Sequence, residues 1–353
     1  MSTLAFSDRL LQWWDVHGRK DLPWQHPRTP YRVWVSEIML QQTQVATVIP
    51  FFDRFIQRFP DLATLARASQ DDVLALWAGL GYYARGRNLH KAAGMVMERF
   101  EGEFPDDARV LASLPGIGRS TANAIISQAW DRPATVVDGN VRRVMARHAG
   151  IDDSAGKSST EKVYWAKAEN MLPHQRGADY TQAIMDLGAT LCTRSRPGCK
   201  DCPVSNDCHA YLSGTTNQFP AKPAGIKVSD KRIHMLIIAK PDGRVLLEKR
   251  PPTGIWGGLW SLPEEEDEQR LASRFGFLVG QFSALPDMEH RLTHMRINIR
   301  PRTIVAEAKP NGVESTTDQR WFDAGEWSSA GLPKPVKTLL KLHQQEYIHD
   351  AHR

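Results

Sequence analysis

The chain has 353 residues, of which 41% are hydrophobic and 24% are charged, and its formal net charge is +5. These values exclude a disordered or fibrous protein and leave room for two domains of ordinary size. The mild positive excess permits nucleic-acid binding without requiring it. No apolar run approaches the ~18 residues of a membrane span, and the N-terminus MSTLAFSDRLLQWWDVHGRK is charged where a signal peptide would be apolar. We therefore expect a soluble, intracellular protein.

The first informative element is a helix that begins at Thr29 and Pro30, which are typical of an N-cap and a first helical residue. The helix is predicted over YRVWVSEIMLQQTQ and places Glu37 among apolar side chains. A carboxyl group in such surroundings has a raised pKa and can hold a proton near neutral pH, as a general acid must. The alternative is an exposed glutamate on an amphipathic helix, although apolar residues lie on both sides of Glu37 rather than along one stripe.

The segment GLGYYARGRNLHK, residues 79–91, combines glycines, two tyrosines and several cationic side chains. This mixture is typical of a loop that contacts phosphates while a ring inserts between bases or stacks on them. The alternative is a solvated helix start whose tyrosines pack inward, and the segment alone does not decide between the two.

The segment LASLPGIGRSTANAI, residues 111–125, predicts two helices joined by a short hairpin. Gly116 and Gly118 flank one aliphatic residue, so backbone N–H groups can point outward at the start of the second helix and bind a phosphate. This is a helix-hairpin-helix signature. A plain turn between two helices is the alternative.

Asp138 follows the β-branched run TVV and precedes the helical pattern GNVRRVMARHAG, which predicts a helix N-cap. A helix N-terminus favours an ionised aspartate, and an ionised aspartate can stabilise a developing positive charge. Glu37 and Asp138 are therefore expected in unlike environments, one apolar and one polar. Such a pair is typical of the acid and the charge-stabilising group in the cleavage of glycosidic bonds.

All four cysteines lie in the segment CTRSRPGCKDCPVSNDC, where Cys192, Cys199, Cys202 and Cys208 are separated by six, two and five residues. Four thiols confined to one short segment predict a single metal site. A pair of disulfides, or unrelated buried thiols, is the alternative, and it is disfavoured in an intracellular protein. Zinc and an iron–sulfur cluster both accept four thiolates, so the spacing leaves that choice open.

Residues 213–230 are rich in Gly, Pro, Ser, Thr and Lys and predict an interdomain linker. The segments RIHMLIIAK, PDGR and VLLEKR that follow predict a strand, a tight turn and a second strand. RLTHMRINIRPRTIVAEA and PKPVKTLLKLHQQEYI predict further strands and a closing helix. Residues 231–353 are thus expected to form an α+β domain.

Several of these segments, in this order, resemble the adenine DNA glycosylases of the MutY type, which belong to the helix-hairpin-helix superfamily together with endonuclease III. The resemblance is dense from residue 1 to about residue 225, and the motifs that carry it are LPWQ, SEIMLQQTQVATVIP, LWAGLGYYARGRNLHKAA, LPGIGRSTA, VVDGNVRRV and QAIMDLGATLCTRSRPGC. It implies a mostly α N-terminal glycosylase fold with two helical lobes and an iron–sulfur loop at residues 1–212, followed by a Nudix-like α+β domain at residues 231–353.

The resemblance also implies an activity: a monomeric base-excision repair enzyme of the bacterial cytosol that removes adenine opposite 8-oxoguanine, or opposite guanine, in double-stranded DNA. It implies a [4Fe-4S] cluster on the four cysteines. Glu37 would protonate adenine at N7 and help activate water, and Asp138 would stabilise the oxocarbenium-like sugar.

The same comparison implies residues that contact the substrate. Trp24 and Gln182 resemble members of the adenine pocket. Gln41, Gln42 and Tyr82 resemble residues that enter or flank the opened base stack. Gly116, Gly118 and Asn140 are expected at the DNA as well.

Ser120 distinguishes members of the superfamily from one another. Members that also cut the DNA backbone resemble one another in having a lysine nucleophile directly after the hairpin glycines, where GIGRST has Ser120. Serine cannot form a Schiff base, so we expect a monofunctional glycosylase that leaves an abasic site.

The C-terminal segment RPPTGIWGGLWSLPEEE resembles the entrance to a Nudix fold, but EEEDEQRLASRF lacks the Arg-Glu pair and the spaced glutamates that hold magnesium in a Nudix hydrolase. The acidic run is typical of a solvated helix start. We expect this domain to recognise 8-oxoguanine through Thr293 and His294, which lie where the family has a Phe-Ser-His loop. Leu292 replaces the aromatic residue there, and a leucine can still wedge between bases.

Three other functions are considered. An endonuclease III-like glycosylase with lyase activity is disfavoured by Ser120 and by the extra C-terminal domain. A DNA lesion-binding protein without catalysis would make Glu37 a structural residue. A nucleotide hydrolase acting through the C-terminal domain is disfavoured by the missing magnesium-binding helix.

Overall fold

The computed structural model describes residues 4–152, 157–221, 228–307, 310–311, 313 and 318–351. The predicted linker, residues 213–230, lies partly outside the described residues, because residues 222–227 are not described. The chain forms two compact units: Met1–Arg67 with Asn88–Ala224, and Ala68–Arg87 with Gly225–Arg353. None of the helices in the described residues is both long enough and apolar enough to cross a membrane.

The described part of the chain up to residue 221 is mostly helical, as predicted. Its α-helices are α1 (Phe6–His17), α2 (Pro30–Leu40), α3 (Val45–Arg58), α4 (Leu62–Arg67), α5 (Gln70–Trp77), α6 (Ala84–Arg99), α7 (Ala108–Ala112), α8 (Arg119–Trp130), α9 (Gly139–Ala149), α10 (Lys157–Glu169), α11 (Gly177–Asp186) and α12 (His209–Leu212). A π-helical turn, Leu187–Leu191, continues α11, and short 3₁₀ turns occupy Pro23–Gln25, Cys199–Asp201 and Ser205–Asp207. Helix α5 and the first residues of α6 belong to the second unit.

Helix α2 begins where its sequence predicts, since the Thr29 side chain accepts a hydrogen bond from the backbone N–H of Arg32. It ends at Leu40, four residues earlier than the predicted end at Gln44. Gln42 has φ +57°, in the left-handed region, and this conformation cannot continue a right-handed helix. The early end places the polar residues after Leu40 in a turn.

The core of the first unit surrounds α1, α9, α10 and α11. Trp14 and Tyr164 are among its largest buried side chains, and Val141, Ala183 and Leu187 pack with them. Apolar burial of this extent is the main stabilising contribution to such a helical unit. The core holds α9, which Asp138 caps, and α11, which carries Gln182.

The second unit contains a mixed sheet. Its strands are β1 (Ser229–Ala239), β2 (Val245–Lys249), β3 (Trp260–Ser261), β4 (Glu264–Glu265), β5 (Ser283–Ala284), β6 (Met288–Arg291), β7 (Met295–Val305) and β8 (Gln319–Phe322). Along the main path the strands are ordered β3-β2-β1-β7-β5, with β1 and β7 parallel and the other pairs antiparallel. The helices are α13 (Glu268–Phe275), α14 (Ala324–Ser329) and α15 (Lys334–Ala351).

The strands and the closing helix predicted for this unit are confirmed. Alternate residues of β1 face opposite sides of the sheet, so Met235 and Ile237 join one apolar cluster while Leu236 and Ile238 join another. The acidic run begins in β4, and the Asp267 side chain then caps α13. The expected class, a mostly α N-terminal part followed by an α+β domain, is therefore correct.

Candidate active site

An open cleft of about 1530 Å³ lies in the first unit. Its walls come from the ends of α2, α8, α9 and α11, which are far apart in the sequence. Seven of the residues singled out in the sequence line it: Trp24, Glu37, Gln41, Ser120, Asp138, Asn140 and Gln182. The fold therefore brings both predicted carboxyl groups into one cavity.

Glu37 lies on α2 at the wall of this cleft and is partly buried. Burial is the main cause that raises its pKa to about 7, and the negative charge of Asp138 raises it further. The Nε2 group of Gln128 donates a hydrogen bond to Glu37 Oε1 over 2.7 Å, which opposes the rise. The environment is therefore as apolar as predicted, and near neutral pH the carboxyl group holds a proton in a large share of molecules.

Asp138 is the N-cap of α9, as predicted, and its Oδ1 accepts a hydrogen bond of 2.7 Å from the backbone N–H of Val141. Its setting is drier than we expected, because burial raises the pKa of Asp138 above its ordinary value. The backbone N–H groups of Val141 and Asn140 and the positive charge of Arg143 oppose this rise. These groups act in favour of the ionised form of Asp138, whereas burial acts against it.

Ser120 lies in the first turn of α8 and faces the same cleft. Its Oγ accepts a hydrogen bond of 3.1 Å from the backbone N–H of Val137, the residue before Asp138. Trp24, only 2% exposed, packs edge-on against Phe52 at 5.5 Å between ring centroids and closes another part of the wall. A planar group entering the cleft would thus meet a fixed aromatic surface.

Gln182 is held by a buried network that the sequence did not predict. Its Nε2 donates to Asp186 Oδ1 over 2.7 Å, and Asp186 is fully buried. Asp186 also accepts hydrogen bonds from the backbone N–H, Nε and Nη2 of Arg19 at 2.8, 2.9 and 2.6 Å, and from Trp14 Nε1 at 3.3 Å. Because Asp186 fixes the amide nitrogen, the amide oxygen of Gln182 is also fixed in direction.

The hairpin between α7 and α8 has the predicted form. Gly116 adopts φ +80°, a conformation that side chains disfavour, and Gly118 is the N-cap of α8. Gln41, at the end of α2, directs its Nε2 towards Gly116 O and Thr121 Oγ1, each at 3.4 Å. These contacts join the end of α2 to the hairpin.

The four cysteines surround one cavity of about 400 Å³ in the first unit. Burial is the largest cause that raises the pKa of Cys202 to about 11, and the other three thiols add to it. Arg147, a buried arginine, donates from Nη1 to Cys192 Sγ at 3.4 Å. Within the described residues, no three His, Cys, Asp or Glu side chains are grouped closely enough to hold a single metal ion.

Arg143 connects this cysteine segment with the cleft, a contact that the sequence did not predict. Its Nε donates to Cys192 O at 2.7 Å, and its Nη2 donates to Gly188 O at 2.6 Å and to Asn140 Oδ1 at 2.8 Å. The same guanidinium carries the charge that acts on Asp138. Arg143 thus bonds to the cysteine segment and also acts on the carboxyl group of Asp138 in the cleft.

Four further predicted residues lie outside the cleft. Gln42 is exposed in the turn after α2. In the second unit, Tyr82 is 46% exposed, and its hydroxyl lies 3.2 Å from Thr293 Oγ1. Thr293 and His294 are exposed in the turn between β6 and β7, whereas Leu292 packs against the apolar cluster of the sheet.

Two of the missed residues have a weak signal in the sequence. Gln128 is a polar residue in the apolar run AIISQAW, and Asp186 is a carboxylate in QAIMDLG, four residues after Gln182. A polar residue on a buried helix face needs a partner, so each predicts a buried hydrogen bond. The partners Glu37 and Arg19 lie far away in the sequence and could not be identified from it.

Comparisons with known proteins agree with the fold of both parts of the chain. The family model described as "HhH-GPD superfamily base excision DNA repair protein" matches residues 35–170, and the one described as "NUDIX domain" matches residues 234–342. A solved thermostable thymine-DNA glycosylase has a TM-score of 0.54 and 27% identity over 59% of this chain and 95% of that chain. An endonuclease III in complex with DNA, at 22% identity and TM-score 0.51 over 59% of this chain and 94% of that chain, shows the same fold.

Curated relatives match over almost the whole chain. An adenine DNA glycosylase of Buchnera aphidicola subsp. Baizongia pistaciae is 35% identical over 96% of this chain and 97% of that protein. The adenine DNA glycosylase of Homo sapiens is 32% identical over 96% of this chain and 74% of that protein. With this identity over nearly its full length, the chain belongs to the adenine DNA glycosylase family.

Proposed function

We propose that this protein is a base-excision repair enzyme that hydrolyses the N-glycosidic bond of adenine mispaired with 8-oxoguanine, or with guanine, in double-stranded DNA. It leaves an abasic site and does not cut the strand. Family membership supports adenine excision. The observation that carries the chemistry is the placement of Glu37 and Asp138 in one cleft, where burial raises the pKa of Glu37 to about 7.

The reaction needs an acid because adenine is a poor leaving group. Glu37 donates its proton to adenine N7, the C1′–N9 bond breaks, and its electron pair leaves with the base. The ionised Asp138 stabilises the positive charge that develops on the sugar. The carboxylate of Glu37 then accepts a proton from the water that forms the new bond at C1′. Atoms and charges balance without a covalent enzyme intermediate.

The base must leave the duplex before this chemistry can occur. Trp24 offers the flipped adenine a buried aromatic surface, and Gln182 offers it a fixed amide oxygen that can accept from the exocyclic amino group. Asp186 supports that selection by holding the amide nitrogen. A base with a carbonyl oxygen in place of the amino group would set that acceptor against the amide oxygen of Gln182 and be rejected.

The strand stays intact because the cleft offers serine where lyases of the superfamily offer lysine. Ser120 lies beside Asp138, and its hydroxyl is engaged with Val137 N–H. A hydroxyl group cannot form the Schiff base on which strand cleavage depends. An endonuclease III-like lyase is therefore the weaker alternative, and a protein that only binds the lesion would have no use for the acidity of Glu37.

The four cysteines would hold a [4Fe-4S] cluster. The cavity that all four thiols line and the buried Arg147 beside Cys192 support this assignment, because a cationic side chain offsets the negative charge of thiolates. Such a cluster would supply a fixed cross-link for residues 192–208, and Arg143 ties this segment to the cleft.

Contact with DNA extends beyond the cleft. The hairpin glycines Gly116 and Gly118 would bind the phosphate backbone, and Gln41, Gln42 and Tyr82 would enter or flank the opened stack. Asn140, in the wall of the cleft, would contact the DNA as well. Thr293 and His294 would contact 8-oxoguanine. We place the domains at residues 1–212 and 231–353, joined by a linker at 213–230, and we expect a monomer acting in the bacterial cytosol.

Single-turnover cleavage of a labelled duplex with adenine opposite 8-oxoguanine tests the proposal. With wild type, we expect strand breaks only after alkali treatment, and with Glu37→Gln we expect none. Glu98→Gln, the same change at an exposed position on α6, should behave as wild type. Full activity in Glu37→Gln would reject Glu37 as the acid, and breaks without alkali would reject the monofunctional assignment.

The cluster is tested separately with Cys199→Ser. We expect loss of the visible absorbance of the purified protein and weaker DNA binding, because one of four thiolates is removed. Intact absorbance in this variant would remove Cys199 from the ligand set.

A further inference from the structure

Residues 68–87 pack against the sheet of the second unit. Leu74, on α5, is 1% exposed and belongs to the same apolar cluster as Trp260 and Leu332. The fit is close, because a Cβ atom added to Gly331 would lie 3.1 Å from the backbone of Leu74, and one added to Gly258 would lie 3.2 Å from its side chain. The family model at residues 35–170 also spans this segment.

Polar contacts fix both ends of the segment. At one end, Asp71 Oδ1 pairs with Lys249 Nζ at 2.6 Å, and Asp71 Oδ2 accepts from Trp260 Nε1 at 3.2 Å. At the other end, Arg87 Nη1 donates to the carbonyl oxygen of Gly257. These bonds connect α5 and the start of α6 with the loop that leads into β3.

The turn between the two ends carries Tyr82. Tyr82 has φ +49°, which costs free energy for a residue with a side chain and needs support from its surroundings. The guanidinium of Arg85 lies over its ring at 5.4 Å and donates to Gly81 O at 3.2 Å. Support at both ends of the segment therefore keeps this strained turn, and the exposed ring of Tyr82, in one conformation.

We infer that Asp71 and Arg87 are positioning residues: with Lys249 and Gly257 they hold Tyr82 beside Thr293, and this placement sets the preference for 8-oxoguanine over guanine opposite adenine. The specificity part of this inference rests on the proposed function. The physical reason is pre-organisation, because a ring already in place loses little conformational freedom when it enters the duplex beside the base.

A charge-reversal experiment tests the inference. Lys249→Asp places two carboxylates together, and the double variant Asp71→Lys/Lys249→Asp restores an ion pair with the net charge of the wild type. Arg244→Asp is the matched control, since it reverses a similar pair with Asp242 in the turn between β1 and β2. Hydrogen exchange of residues 79–83 is measured in the free protein. Affinity is measured for duplexes in which a non-cleavable adenine analogue faces 8-oxoguanine or guanine.

In Lys249→Asp, we expect exchange at residues 79–83 to be about fivefold faster and the affinity ratio for 8-oxoguanine over guanine to fall about threefold to fivefold. The double variant should recover both values in part, because it restores the ion pair but not the acceptor of Trp260 Nε1. Arg244→Asp should change neither value. Loss of a cation weakens binding to both duplexes equally, so this loss cancels in the ratio of the two affinities. Unchanged exchange in a folded Lys249→Asp protein, no recovery in the double variant, or faster exchange with an unchanged ratio would each overturn the inference. If wild type fails to remove adenine, the proposed function fails. The exchange measurement still decides whether the Asp71–Lys249 pair holds the turn at residues 79–83 in place.

Discussion

At the scale of single residues, the two buried carboxyl groups of the cleft differ in the hydrogen bonds that they accept. Burial raises the pKa of both Glu37 and Asp138. Asp138 accepts hydrogen bonds from backbone N–H groups at the start of α9 and lies near the positive charge of Arg143. Glu37 accepts a hydrogen bond from the neutral side-chain amide of Gln128. Since N–H groups at a helix N-terminus favour the ionised form, this difference supports the proposal that Glu37 is the acid and Asp138 the charge stabiliser.

The raised pKa of Glu37 has a measurable effect on stability. Its pKa is about 7 in the folded protein and 4.5 ordinarily, so the unfolded chain loses this proton more readily and wild-type stability falls between these pH values. Glu37→Gln has no such proton. Near pH 8 we therefore expect the variant to be more stable than wild type by up to about 3 kcal/mol. Near pH 4 the difference should largely disappear.

Urea unfolding of both proteins at the two pH values measures this difference. Glu98→Gln provides the control, because its carboxyl group is exposed on α6. Equal stability of Glu37→Gln and wild type near pH 8 would mean that the carboxyl group is not destabilised by burial.

Ser120 permits a gain-of-function prediction. Ser120→Lys places an amine beside Asp138, where it can attack C1′ of the abasic sugar and form a Schiff base. We expect strand breaks without alkali, and a covalent protein–DNA adduct after borohydride reduction. Ser120→Ala is the control, because it also removes the acceptor of Val137 N–H but adds no amine. Absence of an adduct in Ser120→Lys would show that residue 120 does not reach C1′.

At the scale of elements, the hairpin between α7 and α8 has two glycines with different requirements. Gly116 has φ +80°, and a Cβ atom there would lie 3.0 Å from Asn88 Cβ. Gly118 has φ −87°, and a Cβ atom there would have no neighbour within 4 Å. Only the first position needs glycine for its backbone conformation.

This difference predicts unequal effects of the same substitution. Gly116→Ala should destabilise the hairpin by about 1–2 kcal/mol and weaken DNA binding, because the N–H groups can no longer keep their outward direction. Gly118→Ala should leave the fold intact. Thermal unfolding and binding to undamaged duplex DNA measure both effects, and equal losses in the two variants would contradict the conformational argument.

At the scale of the whole molecule, the chain forms two units that are not continuous in sequence. Residues 68–87 lie within the segment that resembles the helical glycosylases, yet they pack with residues 225–353. The reason is apolar burial, since Leu74 and Tyr83 contact the cluster on one face of the sheet.

A truncation should reveal this packing. A protein ending at Ala224 lacks the sheet, so Leu74 would lose its partners and residues 68–87 would become exposed. We expect limited proteolysis to cleave within residues 68–87 much faster in the truncated protein than in the full chain. Equal cleavage rates would show that α5 is stable without the sheet.

The sequence alone determined most of the helices and strands and the family that the chain resembles. Local rules predicted the Thr29 cap, the Asp138 cap, the two-glycine hairpin and the strands of the second unit, because capping, turns and strand alternation depend on neighbours in the chain. The end of α2 was predicted wrongly, because the left-handed conformation of Gln42 is not a local preference of glutamine.

Only the tertiary structure decided which groups meet. Glu37 and Asp138 share a cleft because α2 and α9 converge there. Asp186 holds the side chain of Gln182, and Asp186 itself pairs with Arg19, which is 167 residues away in the sequence. The packing of residues 68–87 against the sheet of the second unit is likewise not predictable from the sequence. Contacts between distant residues depend on packing of the whole chain, and no local pattern encodes which buried polar group will find which partner.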